Sequence, residues 1–273
     1  MLRMESENGW WLITHPHHAE LSGAFAAAWG NDQFRRPEPR RRVLFGISRH
    51  DDGWAARDAR PVITRQGKPS AFSTELVGKY SAFEEIDLAD YLAVRDNAVR
   101  MIAAQDPYAA LLISMHTFNL LSQHADRSTI AANDLQLLDT FLDRVRSFQQ
   151  ELKTLIAADA SLTPTQKSEQ TILEHFRLLQ ACDNLSLLSC VSYSLPAHLL
   201  HPLPLNDGST SEVHVQPVGP GRFRLSPWPF SNAELHFTFP ARHVEGRIFS
   251  SSAELAHTFS AAPVEELNVT LLH

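Results

Sequence analysis

The chain has 273 residues, 44% of them hydrophobic and 20% charged, enough for one large domain with a substantial core. Its formal net charge of −7 leaves no dominant basic face, which excludes a nucleic-acid backbone as the main partner. No apolar run approaches the roughly eighteen residues that would span a bilayer, and the N-terminus carries Glu5 and Glu7 where a signal sequence would be basic, so a cytoplasmic protein is expected.

Trp10 to Thr14 is short, aromatic and β-branched, and reads as a strand or an extended lead-in. His17 to Trp29 is Ala-rich and predicted helical, with Gly30 as its stop. A second helix is predicted from Arg40 to Asp51, arrested at Asp52-Gly53. The arginines at 35, 36 and 40 to 42, broken by Pro37 and Pro39, read as a solvated helix entry. Ala55 to Ser73 contains Pro61, Gly67 and Pro69 and no sustained period, which predicts a long surface excursion.

Asp87 to Ala104 is predicted helical. Asp106 then caps a further helix with Pro107 in its first turn. The clearest period in the chain runs from Asn133 to Ala157, where Leu135, Leu138, Leu142, Val145, Leu152 and Ile156 define a packing helix. Thr163-Pro164 precedes a last long helix that ends near Cys190. Cys182 and Cys190 lie about 12 Å apart along that helix, too far for a disulfide, and are expected to be buried thiols. Beyond Leu195, Pro196, Pro202, Pro204, Pro217 and Pro220 together with Asn206-Asp207-Gly208 end the helical pattern. Short alternating runs such as Val213-His214-Val215, Arg222 to Leu225, Leu235 to Phe239 and Leu267 to Leu271 predict a small antiparallel sheet. The expectation is a mostly α protein, α+β overall, with a helical domain over 1–195 and a small β-rich segment over 196–273.

Several ionisable residues sit where these helices should be apolar. Asp183 shares a stripe with Ile172, Phe176, Leu179, Leu187 and Cys190, and a carboxylate facing a core needs a cation. His18 shares a face with Leu21 and Phe25, with His17 as its competitor. His50-Asp51 follows Val43, Leu44 and Ile47 at a helix end, and His116 follows Tyr108, Leu112 and Met115. Each histidine alone reads equally as a hydrogen-bonded core residue. Together, imidazoles and carboxylates from four helices suit a borderline or hard divalent cation such as manganese, magnesium or iron. No cysteine pair accompanies them, which argues against a structural zinc knuckle.

The order His18, His50-Asp51, Asp183 resembles the HD superfamily of metal-dependent phosphohydrolases. That resemblance implies an HD-like helical bundle with His18, His50, Asp51 and Asp183 as ligands to one metal, and His116 as an auxiliary ligand or substrate-facing residue. More closely, the stretches His18 to Gly30, His50 to Trp54, Gly67-Lys68-Pro69, Ala110 to His116 and Asp183 to Ser186 are similar to an uncharacterised bacterial domain-of-unknown-function family, number 3891. The chain lacks the HD-x-x-E extension and carries a long insertion between Asp51 and His116.

A metal so held activates water for hydrolysis of a small phosphorylated metabolite or nucleotide. Asp52 and His116 are the candidate proton acceptors. Arg57, Arg65 and Lys68 are candidate clamps for an anionic substrate, or solvated loop charges. Trp54 either stacks on a substrate ring or plugs the core beneath the loop. Two other readings stay open: a di-iron oxygenase, with His116 and His124 recruiting a second iron, and a non-catalytic metal-binding scaffold. In the last, the edges of the C-terminal sheet offer a docking or homodimer surface.

Overall fold

A computed structural model describes residues 1–78 and 87–273. The chain opens with strands β1 (Leu2–Glu5) and β2 (Gly9–Ile13), followed by helices α1 (His15–Ala28) and α2 (Arg40–Arg49). A single 3-10 turn (Asp52–Trp54) runs into the one-turn helix α3 (Ala55–Asp58). Four longer helices come next: α4 (Leu88–Ala103), α5 (Pro107–Gln123), α6 (Ala132–Ala158) and α7 (Glu169–Cys190). The C-terminal part contributes β3 (Ala197–His198), β4 (Leu203–Pro204), β5 (Thr210–Ser211), β6 (His214–Gly219), β7 (Arg222–Ser226) and β8 (Glu234–Glu245). Helix α8 (Ser252–Ala261) and strand β9 (Val264–Leu272) complete it.

The sheet corrects the expected fold class. The predicted mostly α, HD-like bundle with a small C-terminal sheet gives way to a fold in which the sheet is a principal layer. Its seven-stranded, curled half-barrel sheet draws on both ends of the chain, in the order β1-β2-β8-β9-β7-β6-β3. The reason is long-range pairing. β1 is four residues long and β2 five, too short for periodicity to announce a sheet, and β2 takes its partner from β8, with Trp10 opposite Val244. The excursion from Ala55 also adds to this edge, since Phe72 bridges to Leu2 and its carbonyl accepts from the Arg3 amide at 2.8 Å.

Helix starts follow the local chemistry. Thr14 caps α1 by accepting from the His17 amide, Asp106 caps α5 through Tyr108 and Ala109, and Ser168 caps α7 through Thr171. α1 packs on both α2 and α7, and α5 packs on α2, α4, α6 and α7. The main core runs from these helices onto the sheet, through Phe25, Trp29, Phe34, Phe223 and Phe230.

Two glycines set the spacing of the helices that carry the polar residues. A Cβ on Gly23 of α1 would stand 2.5 Å from the Ser48 Cβ of α2, and one on Gly53 would stand 2.5 Å from the Val94 carbonyl oxygen of α4. The absent side chains therefore let α1 and α4 close on the end of α2. Gly53→Ala is expected to push α4 outward and cost about 1–3 kcal/mol in stability. A lowered urea midpoint checks this, and an unchanged one contradicts it.

Candidate functional site

The end of α2, the first half of α1, the middle of α5 and the middle of α7 meet at a buried cluster of five ionisable residues: His18, His50, Asp51, His116 and Asp183. None is more than 7% exposed. The helical stripes that placed each of them inward in the sequence also bring them together in space.

Their nitrogen and oxygen atoms lie close together. His18 Nε2 lies 3.1 Å from Asp51 Oδ2, and His50 Nε2 lies 3.3 Å from Asp183 Oδ1 and 3.8 Å from Asp51 Oδ2. His116 Nε2 lies 3.8 Å from Asp183 Oδ2. Two overlapping triads, His18-His50-Asp51 and His50-His116-Asp183, each have donor atoms within 4.8 Å of one another. Around a metal with bonds of about 2.1 Å, adjacent octahedral donors sit roughly 3.0 Å apart and opposite ones roughly 4.2 Å. The cluster matches that scale.

Hydrogen bonding fixes which ring atoms face inward. His50 Nδ1 lies 2.8 Å from the Ile47 carbonyl, which can only accept, so Nδ1 carries the proton. His50 Nε2 is then the ring nitrogen that faces the two carboxylates, buried and without a well-aligned hydrogen bond. His18 Nδ1 donates to Ser186 Oγ at 2.7 Å, and that hydroxyl donates to the Asp183 carbonyl. Ser22 Oγ donates to the same Ser186 oxygen at 2.8 Å. An imidazole oriented through its second nitrogen is the usual arrangement of a metal-ligating histidine.

Electrostatics points the same way. Burial works to raise the Asp183 pKa, but His50, His116 and His18 outweigh it and hold the carboxyl at about 2. Burial likewise opposes the charge on Asp51, and Arg95 with His50 keeps it well below the ordinary carboxylate range. Burial pushes His116 down to about 3, so it is neutral at physiological pH.

For His50 burial is again unfavourable to charge, yet Asp51 and Asp183 raise its pKa from 6.5 to about 9. In metal-free protein the imidazolium thus stands in for a cation. A raised folded-state pKa gives stability that is complete below about pH 6.5 and is lost as pH climbs through about 9. Chelator-treated protein is expected to melt at progressively lower temperature across that window. A flat profile there contradicts the pairing.

Sequence reasoning missed Arg95. It is 7% exposed, its Nη1 lies 2.6 Å from Asp51 Oδ1, and its Nε donates to the Tyr91 hydroxyl. A signal existed: Leu88, Tyr91, Leu92, Arg95, Val99 and Ile102 form one buried stripe of α4, the pattern that singled out Asp183. Ser22 and Ser186 were missed too, although each lies one helical turn beyond a cluster residue. His15 was passed over for its neighbours, and it pairs with Asp58 at 3.0 Å beside the cluster.

The remaining candidates lie outside the cluster. Asp52 is half-buried next to the cluster, with Arg49 Nη1 at 3.4 Å from Oδ2 and no partner on Oδ1; burial raises its pKa. Trp54 is 5% exposed, stacked on the His15 ring at 4.4 Å and set edge-on to Tyr91. That is a plug position beneath the loop. Arg57 is half-buried, with its guanidinium 5.9 Å from the centre of the Trp54 ring. Lys68 lines a separate cavity of about 480 Å³ with Arg3, Trp10, Glu75 and Arg247, which shares no residue with the cluster. His124 caps the end of α5 and belongs to neither triad. Cys182 and Cys190 are both free and buried.

With this geometry established, comparison with known proteins gives one match. A family model described as "Protein of unknown function (DUF3891)" covers residues 1–246. The chain belongs to the DUF3891 family. No curated protein and no solved structure matches it. All five cluster residues and Arg95 fall within the DUF3891 match, whereas α8 and β9 lie beyond it. Among the described residues no helix is long and apolar enough to cross a membrane.

Proposed function

We propose that the buried cluster is a divalent-metal centre, and that the protein is a metal-dependent hydrolase of a small phosphoric ester. The observation that carries the metal is the convergence of donor atoms on His50 Nε2, which lies 3.3 Å from one carboxylate and 3.8 Å from another without a well-aligned hydrogen bond and becomes a ligand when an ion displaces its proton. Carboxylates crowded in a buried space need positive charge beside them, which the His50 imidazolium supplies in the metal-free protein and an ion supplies when bound. His18, His50, Asp51 and Asp183 hold the ion in this reading, with His116 as a further neutral ligand.

His50 belongs to both triads and has only Nε2 to offer, because Nδ1 is committed to Ile47. This favours one ion over two and weighs against a di-iron centre. When bound, a divalent ion lowers the pKa of a water and offsets charge on a phosphoryl oxygen. The order of the ligands along the chain resembles that of HD-type phosphohydrolases, which supports hydrolysis as the chemistry.

The protein's own groups take the remaining roles. Arg95 neutralises Asp51 and holds its second oxygen toward the cluster. Ser186 and Ser22 keep the His18 ring in one orientation. Asp52, with a pKa raised by burial and a free Oδ1, accepts the proton from the attacking water. Arg57, on the helix that follows, is the cation assigned to an anionic substrate.

Hydrolysis of a panel of phosphomonoesters, phosphodiesters and nucleotides, with manganese, magnesium, iron or zinc supplied, tests the reading; it is followed by phosphate release for the monoesters and by chromatography of the products for the others. Turnover is expected with at least one metal, and Asp52→Asn should slow it by about a hundredfold while leaving the metal content unchanged. A protein that binds one ion and hydrolyses nothing on the panel would be a metal-binding scaffold, and the hydrolase reading would fall.

A further inference from the structure

A second group of ligand-type side chains lies on the opposite kind of surface, exposed and on the sheet. β3 is a two-residue edge strand paired with β6, and His198 stands directly across from His214. Val213 and Val215 are fully buried, whereas Glu212 and His214 are exposed. Successive residues of extended chain alternate between faces, so Glu212 and His214 leave the sheet on the side away from the valines. His198 reaches the same side from across the ladder, next to the buried Leu199. The two rings have centroids 4.3 Å apart, and each of the three residues offers a donor atom within 4.8 Å of the other two.

We propose that His198, Glu212 and His214 form a surface site for a borderline transition-metal ion such as zinc. Two imidazoles and a carboxylate are a tridentate set that leaves a fourth tetrahedral position open. Two nitrogen donors select against magnesium and calcium, which take oxygen. Antiparallel pairing sets the spacing: cross-strand neighbours and residues two apart on one face are already within reach of a shared ion, so little rearrangement is required.

The site also has a structural effect. A short stretch of chain joins α7, which carries Asp183, to β3. An ion held between His198 and His214 fastens that edge strand to β6 and anchors the exit from α7.

Zinc titration followed by calorimetry tests this with the full chain. His198, Glu212 and His214 are exposed, so a His198→Ala/His214→Ala double variant is expected to keep the wild-type melting temperature in the absence of metal. It should bind one zinc equivalent fewer than wild type, whatever the buried cluster binds. Glu212→Gln should weaken that equivalent at least about tenfold, and titration with magnesium should show no difference between wild type and the double variant. Equal zinc stoichiometry in the two proteins would overturn the proposal.

Discussion

Asp183→Asn is expected to abolish metal binding at the proposed buried centre. The side chain keeps its volume but loses the charge that faces His50 at 3.3 Å, His18 at 3.8 Å and His116 at 3.8 Å. Metal analysis after equilibration with one divalent ion and removal of the excess should find about one equivalent at the cluster in wild type and essentially none in the variant. Stability follows by mass action. Metal at 100 times its dissociation constant should raise wild-type stability by about 2.7 kcal/mol and the variant's by almost nothing. Retention of the ion, with an unchanged metal-dependent shift in melting temperature, would show that the cluster is not the centre.

Arg95→Met is the second large effect, and it falls on stability first. Asp51 is 4% exposed and its Oδ1 rests 2.6 Å from the guanidinium. Removing one partner of a buried ion pair leaves a buried charge uncompensated, at a cost of about 3–5 kcal/mol. Methionine retains part of the packing against Trp54 and Tyr91, whose rings the guanidinium covers at 5.2 and 5.3 Å. The loss should therefore be electrostatic in origin. Two results identify it as such: metal restores part of the stability, and Asp51→Asn in the Arg95→Met background restores most of it in metal-free protein. Chemical denaturation measures both. A loss below about 1 kcal/mol would mean that solvent already screens the pair.

The site was more legible in the sequence than the fold, for a physical reason. Each cluster residue is marked by the apolar stripe of its own helix, a local pattern spanning a few turns. His18, His50, His116 and Asp183 could each be placed inward without knowing what they would face. Arg95 carried the same mark and went unread, because a long side chain on a helix is ordinarily expected to reach solvent.

The sheet has no comparable local mark. Alternation in Leu235 to Phe239 and Leu267 to Leu271 falls within β8 and β9, but nothing in those residues says that β8 pairs with the N-terminal β2. Helix α8, lodged between β8 and β9 in the chain, likewise passed without notice. Its ten residues bury only Leu255 and Phe259, too few to stand out.

The place of β9 in the sheet has a consequence for biosynthesis. β9 lies between β8 and β7, antiparallel to one and parallel to the other, so β1-β2-β8 joins β7-β6-β3 only through it. Every helix of the buried cluster has left the ribosome before this strand emerges. Until then both half-sheets present open hydrogen-bonding edges, the surfaces on which nascent chains pair wrongly with one another. A nascent chain arrested before Val264 should therefore depend on a chaperone that the released chain does not need.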